Sequence, residues 1–378
     1  MTEAALPIDL ATAPPPPEIA PDTHLPGTIR SIQILRFIAA FVVVMFHAHV
    51  ALVFRHPGHV DDWYDLAWGV GASGVHIFFV ISGFVMVFTS YRGRGTYSPR
   101  AFLKRRFMRI YPIYWLLAAI YVAYHWLVVP AYALGALRAV RAALLVASDS
   151  AAIIGPGWTL AYEVYFYLCF AVSLLFGMRR GLALLTIYFV ASVAAGLLVP
   201  GLKESAPLLT NGLLLEFMLG CWLGYAFLKG VTIPAPVALI AVAAGFAAFA
   251  AGVYLDYDRL PSVVSFGVPS LLIVSGALML ERFLKGRLAR WLSMLGDSSY
   301  FLYLAHILLL DMIMAVLPVL RGVSIMQANL VAVPLAVACL IVADRGHRMI
   351  EVPLLKVMKA FLYRRPAAPL PAPTPADA

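Results

Sequence analysis

Charge is scarce in this sequence. Asp, Glu, Lys and Arg make up 12% of its 378 residues, about half of the roughly 25% that is usual in a soluble domain. Hydrophobic residues account for 62%, and the mean hydropathy is +0.88. This composition excludes a water-soluble enzyme or binding module and indicates an integral membrane protein with several spans.

Cysteine is also scarce. Cys169, Cys221 and Cys339 each lie inside an apolar run, and no two of them form a CxxC pair. The spacing excludes a disulfide framework and a zinc site. We therefore predict three small core residues and no bound metal.

The two ends of the chain lack long apolar runs. Residues 1–29 are rich in Pro, Ala and acidic groups and have no basic start or apolar stretch of a signal peptide. Residues 361–378 are basic and rich in Pro. We predict that both ends are disordered tails, which leaves residues 30–360 as the membrane domain.

Long apolar runs fill the sequence between the tails. A span needs roughly 20 largely apolar residues, and this criterion predicts an all-α polytopic membrane protein with about ten transmembrane helices. The predicted spans are 32–54, 70–90, 108–130, 158–177, 181–200, 208–228, 233–255, 263–281, 298–318 and 326–345. The polar segment 131–157 is predicted to hold an extra re-entrant or surface helix.

Lys and Arg are distributed unevenly between the two sides of these spans. With the N-terminus inside, the inner segments hold 21 of the 28 Lys and Arg residues and the outer segments hold six. The positive-inside rule then predicts that both termini are cytoplasmic. The net charge of +9 is thereby explained by topology, so we do not predict a nucleic-acid partner.

The first span contains two ionisable residues, which are costly in a bilayer and often functional. Arg36 and His47 are eleven residues apart, close to three full helical turns, so they project from one face roughly 16 Å apart along the axis. This spacing suits an elongated ligand with an anionic head at Arg36 and its reactive end at His47. The alternative is that Arg36 snorkels to the headgroups and His47 hydrogen-bonds a neighbouring helix.

Basic residues are dense where the third span begins. Arg106 and Arg109 are spaced i,i+3 and share a helix face, which would form a clamp for phosphate groups. The alternative is a positive-inside anchor. Pro112 is predicted to kink or start the helix.

The fourth span contains one carboxylate. Glu163 lies at about the same predicted depth as His47, and we predict that the two side chains pair. The alternative is a structural Glu bonded to a Tyr hydroxyl. His76 shares this layer and could join it.

The roles of two further groups of residues remain open on the sequence alone. Gly83 is suited to close helix packing, and Ser82 could donate to a ligand carbonyl. His306 and Asp311 in the ninth span are ionisable candidates to which the sequence assigns no role.

Five stretches together resemble a known family. Arg36-x10-His47, FFVISGF, RRFMRIYP, WTLAYEVYFY and LGDSSYFLYLAH occur in this order, and they are similar to acyltransferase family 3, the integral-membrane O-acyltransferases, over residues 30–355. The resemblance implies transfer of an acyl group, commonly acetyl from acetyl-CoA, to hydroxyls of extracytoplasmic glycans such as exopolysaccharide. It also implies location in the bacterial inner membrane.

The resemblance also implies roles for individual residues. Catalytic roles fall to His47, Glu163 and Arg36, and binding of the acyl-CoA donor falls to Arg106 and Arg109, to which we add Arg36 and Ser82. His76 departs from the family pattern, in which many members have Asp. The implied partners are acyl-CoA, a glycan or lipid-linked saccharide acceptor and membrane lipid.

Several alternatives stay open on the sequence alone. His47 could act as a general base or carry the acyl group transiently. A secondary transporter or a lipid or glycan flippase would use the buried Arg, His and Glu as a proton or substrate path. A membrane scaffold would explain the packing motifs but not the ionisable residues. The oligomeric state, a homo-oligomer included, is not readable.

Overall fold

The computed structural model describes residues 29–53, 70–91, 98–128, 134–252 and 260–362. The predicted tails lie outside these residues except for Ile29, Phe361 and Leu362. The described part of the chain is helical and contains no strand. The longer α-helices are α1 Arg30–Val53, α2 Gly74–Tyr91, α3 Pro99–Val128, α4 Ala136–Ala143, α5 Gly157–Ser173, α6 Met178–Leu198, α7 Leu213–Leu228, α8 Ala235–Gly252, α9 Val268–Met279, α10 Arg287–Asp297, α11 Ser299–Val316, α12 Ile325–Gly346 and α13 Val352–Leu362. Two single-turn helices, Leu202–Ser205 and Pro207–Thr210, lie between α6 and α7.

Each predicted span coincides with a helix. Eight helices within the described ranges are long and apolar enough to cross a membrane. The sixth and eighth predicted spans coincide with shorter apolar helices, Leu213–Leu228 and Val263–Met279. The prediction of an all-α, multi-pass membrane protein is confirmed, whereas the cytoplasmic location of both termini stays a prediction.

Two helix boundaries differ from the predicted ones. α3 begins at Pro99 and not near 108, with Pro112 inside it, because Pro is well suited to the first helical position and the basic residues that follow can form the first turns at the membrane surface. α12 does not end at 345 but continues through a π-helical turn, His347–Glu351, into α13. The polar segment before α5 forms the short helix α4.

Helix α1 lies at the centre of the bundle. It packs against α2, α10, α11 and α12. Its first amides are capped by another part of the chain: the backbone N–H groups of Arg30 and Ser31 donate to the Glu281 carboxylate at 2.9 and 2.7 Å. A carboxylate at this end satisfies unpaired donors and complements the helix dipole.

The closest helix pair is α2 with α7. A Cβ at Gly83 would collide with the Phe217 carbonyl oxygen, and a Cβ at Gly220 would collide with that of Val80. The glycines let the two backbones touch, which is how small residues drive helix association in membranes. The predicted packing role of Gly83 is thus confirmed.

A buried ionisable pair also joins α2 to α7. His76 Nδ1 lies 2.7 Å from the carboxylate of Glu216, whose side chain is fully buried. The His76 ring stacks on Phe266 with centroids 4.2 Å apart. His76 therefore pairs with Glu216, a residue that the sequence analysis does not single out, and not with Glu163.

Replacing His76 with Ala is expected to lower the free energy of unfolding by roughly 3–5 kcal/mol, because it leaves a buried carboxylate without its partner. Melting of the purified protein in detergent measures the loss. The double variant His76→Leu, Glu216→Leu should recover most of it. Equal melting temperatures for wild type and His76→Ala would contradict a paired role.

Candidate active site

A cavity of about 390 Å³ lies between α1, α2, α3, α5 and α11. The wall from α2 is mostly apolar, with Val75, Phe78, Phe79, Val85 and Phe88 among its residues. The polar lining residues from the other helices and from α2 are Gln33, Arg36, Ser82, Thr89, Arg106, Arg109, Thr159, Glu163, Tyr167, Tyr300 and Tyr303. An apolar cavity with a few convergent polar groups is typical of a ligand site.

Three guanidinium groups line one end of the cavity. Arg36, Arg106 and Arg109 lie near the beginnings of α1 and α3, the ends predicted to be cytoplasmic. Among the described residues, none of the three has a carboxylate within ion-pair distance. Uncompensated cations inside a membrane domain are costly unless an anion or water completes them. This end of the cavity is therefore suited to an anionic group.

Neutral groups hold two of the arginines in place. Arg106 donates to the Thr89 hydroxyl at 2.9 Å and packs over the rings of Phe102 and Tyr167. Arg36 donates to the amide oxygen of Gln33 at 2.8 Å. The amide nitrogen of Gln33 donates to Asp297 at 2.6 Å. The Gln33 side chain thus lies between Arg36 and the carboxylate of Asp297 and bonds to both.

Glu163, on α5, also lines the cavity. Its carboxylate accepts hydrogen bonds from Ser82 at 2.7 Å and from the Tyr167 hydroxyl one turn along α5. The predicted contact between Glu163 and His47 is wrong, and the Tyr-bonded alternative is what the structure shows. The Ser82 hydroxyl therefore donates to Glu163, whereas the sequence analysis had it free to donate to a ligand carbonyl. The negative charge of Glu163 acts on both Arg36 and Arg106.

A pair of hydroxyls lies at the other end of the cavity. Thr159 donates to the Pro156 carbonyl, so the Tyr303 hydroxyl is the donor of the 2.9 Å bond between Tyr303 and Thr159. Thr159 is eight residues from Tyr167, which packs on Arg106, so roughly 12 Å separates the two ends. The short helix α4 is tied to α3, since the carbonyls of Ala142 and Ala143 accept from Tyr114 and Trp115.

His47 lies beyond this end, and it is not among the cavity-lining residues. His47 Nδ1 is 2.9 Å from the carbonyl oxygen of Val43 and 3.3 Å from Nε2 of His306. His306 follows Tyr303 by three residues on α11 and is fully buried. One helical turn therefore links the hydroxyl pair to the histidine pair.

The structure brings some of the predicted site residues together and separates others. Arg36, Arg106, Arg109, Ser82 and Glu163 line one cavity. His47 contacts His306 while Glu163 is held by α2 and α5, so the predicted pairing of the two is wrong. Asp311 contacts neither: its carboxylate lies 3.8 Å from His125 of α3.

Several lining residues escaped the sequence interpretation. Thr159 and Tyr167 lie one turn before and one turn after the predicted site residue Glu163, and this i,i+4 spacing is the signal that points to them. Tyr303 lies three residues before His306, and this i,i+3 spacing from an ionisable candidate is the signal that points to it. Gln33 had no such signal. Within the described ranges, no cluster of His, Cys, Asp and Glu could hold a metal ion.

Comparison with known families identifies the chain. The acyltransferase family 3 model, described as "Acyltransferase domain", matches residues 29–344. The chain belongs to acyltransferase family 3. As a member of acyltransferase family 3 with several membrane helices, it is an integral-membrane acyltransferase. The arginine-lined cavity and the His47–His306 pair both lie within the matched residues.

The chain is similar to the "Exopolysaccharide production protein ExoZ" of Rhizobium meliloti (strain 1021). The two sequences are 33% identical over 246 residues, which is 63% of this chain and 76% of the relative. No solved structure matches the chain.

Proposed function

We propose that this acyltransferase moves an acyl group, acetyl in the simplest case, from cytoplasmic acyl-CoA to a hydroxyl of an extracytoplasmic glycan such as exopolysaccharide. The observation on which the proposal depends is the cavity whose predicted cytoplasmic end holds three arginines, none of them in an ion pair with a carboxylate of the described residues. The similarity to a protein named for exopolysaccharide production supports the acceptor class, and the predicted inner-membrane location fits a donor and an acceptor from opposite sides.

The donor is proposed to enter with its phosphates at the arginines. Arg36, Arg106 and Arg109 are charged donors suited to phosphate oxygens. The acyl-pantetheine arm of CoA is long and weakly polar, which suits the apolar wall from α2 and the distance of roughly 12 Å to the hydroxyl pair. Glu163 would hold Ser82 and Tyr167 against the side of this arm.

His47 is proposed to act as general base. Among the described residues its Nε2 atom has no hydrogen-bond partner, while Nδ1 faces the Val43 carbonyl and His306. Nε2 would take the proton of the acceptor hydroxyl as the oxygen bonds to the thioester carbon. The C–S bond then breaks, and the proton ends on the CoA thiolate. A transient acyl group on His47 would be the two-step alternative.

Purified protein in detergent micelles, given acetyl-CoA with a labelled acetyl group and deacetylated exopolysaccharide, tests the proposal. We expect release of free CoA in step with transfer of label to the polysaccharide, and release of that label by mild alkali, which cleaves O-esters. Without polysaccharide, at most slow hydrolysis is expected. Folded protein that neither binds CoA nor releases it would contradict the proposal and favour the transporter alternative.

A further inference from the structure

We infer that His306 is a positioning residue for the transfer reaction: it accepts a hydrogen bond from Nδ1–H of His47 and so keeps Nε2 of His47 free to take a proton. This inference rests on the proposed function. It assigns a role to a residue of α11 that is not among the cavity-lining residues.

Hydrogen-bond geometry fixes the proton positions of His306. Its Nδ1 lies 2.7 Å from the carbonyl oxygen of Tyr303, which can only accept. Nδ1 must therefore carry the proton. In the neutral ring Nε2 is then an acceptor, and this atom faces His47 at 3.3 Å.

The same reasoning fixes His47. Its Nδ1 faces two acceptors, the Val43 carbonyl at 2.9 Å and Nε2 of His306. A proton on Nδ1 satisfies both, and a proton on Nε2 would leave three acceptor atoms facing one another without a hydrogen. The arrangement thus selects the neutral form of His47 in which Nε2 is the base.

His306 is well suited to hold His47 in place. Its side chain is fully buried, and the two rings lie 4.9 Å apart between centroids. Its anchor, Tyr303, belongs to the cavity wall and is bonded to Thr159. When His47 gains a proton, the lone pair on Nε2 of His306 faces the new imidazolium and stabilises it, as an orienting group does in a catalytic triad.

Two amide replacements separate positioning from packing. In His306→Asn the amide reaches only to the place of Nδ1, so the bond to Tyr303 can persist while the bond to His47 is lost. In His306→Gln the amide reaches the place of Nε2 and its oxygen can accept from His47. His125→Gln, a histidine outside the site, serves as the matched control. The assay is acetyl transfer from acetyl-CoA to deacetylated exopolysaccharide.

We expect kcat of His306→Asn to fall roughly 10- to 100-fold, with KM for acetyl-CoA unchanged because the arginines are untouched. His306→Gln should keep kcat within a few-fold of wild type, and His125→Gln should match wild type. Equal activity in the Asn and Gln variants, or aggregation of both, would overturn the inference. Absence of transfer by the wild type would instead overturn the proposed function.

Discussion

Replacing His47 with Gln is expected to reduce kcat for acetyl transfer by about 10²- to 10⁴-fold, the usual contribution of a general base. The Gln amide reaches the place of Nε2 but supplies no basic nitrogen there, and the contacts of Nδ1 with Val43 and His306 are lost. KM for acetyl-CoA should change little, since Arg36, Arg106 and Arg109 stay in the cavity wall. Steady-state transfer rates at saturating acetyl-CoA measure the effect.

His49→Gln is the matched control for this variant. His49 lies two residues farther along α1 and is buried, and it projects from a different side of the helix from His47 because each residue turns the helix by about 100°. Its replacement tests whether loss of any histidine from α1 disturbs the bundle. A folded His47→Gln protein with kcat within tenfold of wild type would contradict the role of His47 as base or acyl carrier.

Replacing Arg106 with Gln is expected to raise KM for acetyl-CoA by about 10- to 100-fold, the equivalent of one lost hydrogen bond to a charged group at roughly 1.5–3 kcal/mol. Arg106 lines the cavity and is held by Thr89 and Tyr167 with no acidic partner among the described residues. The effect on kcat should be small, because Arg106 lies roughly 12 Å from the hydroxyl pair.

Arg105 offers a control with the same change of charge. It is the preceding residue on α3, its side chain is exposed, and it does not line the cavity. Arg105→Gln should therefore leave KM near the wild-type value. Titration of CoA binding to both variants at low and high salt adds a second readout, because phosphate contacts weaken with salt. Equal KM values for the two variants would contradict a phosphate site at Arg106.

The spacing of residues along a single helix predicted well which side chains share one face of that helix. Arg106 and Arg109, three residues apart, do share the cavity wall, because spacing along one helix fixes which residues face together. Gly83 does meet another backbone. The number and position of the spans followed from apolar runs, since the bilayer sets the length of a crossing helix.

Partners from different helices were predicted poorly. His47 and Glu163 were paired because they lie at similar depth, yet His47 contacts His306, 259 residues away, and Glu163 contacts Ser82, 81 residues away. The same applies to His76, whose partner Glu216 is 140 residues away. Depth gives one coordinate of a side chain in a membrane protein and leaves the neighbour across the bundle undetermined.

The sequence by itself determined that this chain is an all-α membrane protein, where its helices run, and, through five ordered motifs, that it belongs to acyltransferase family 3. Only the tertiary structure decided that the arginines and Glu163 line one cavity while His47 lies beyond it, bonded to His306. The reason is physical: hydropathy and helical periodicity act within a segment, whereas the contacts between segments depend on how glycines, aromatic rings and caps let the helices pack.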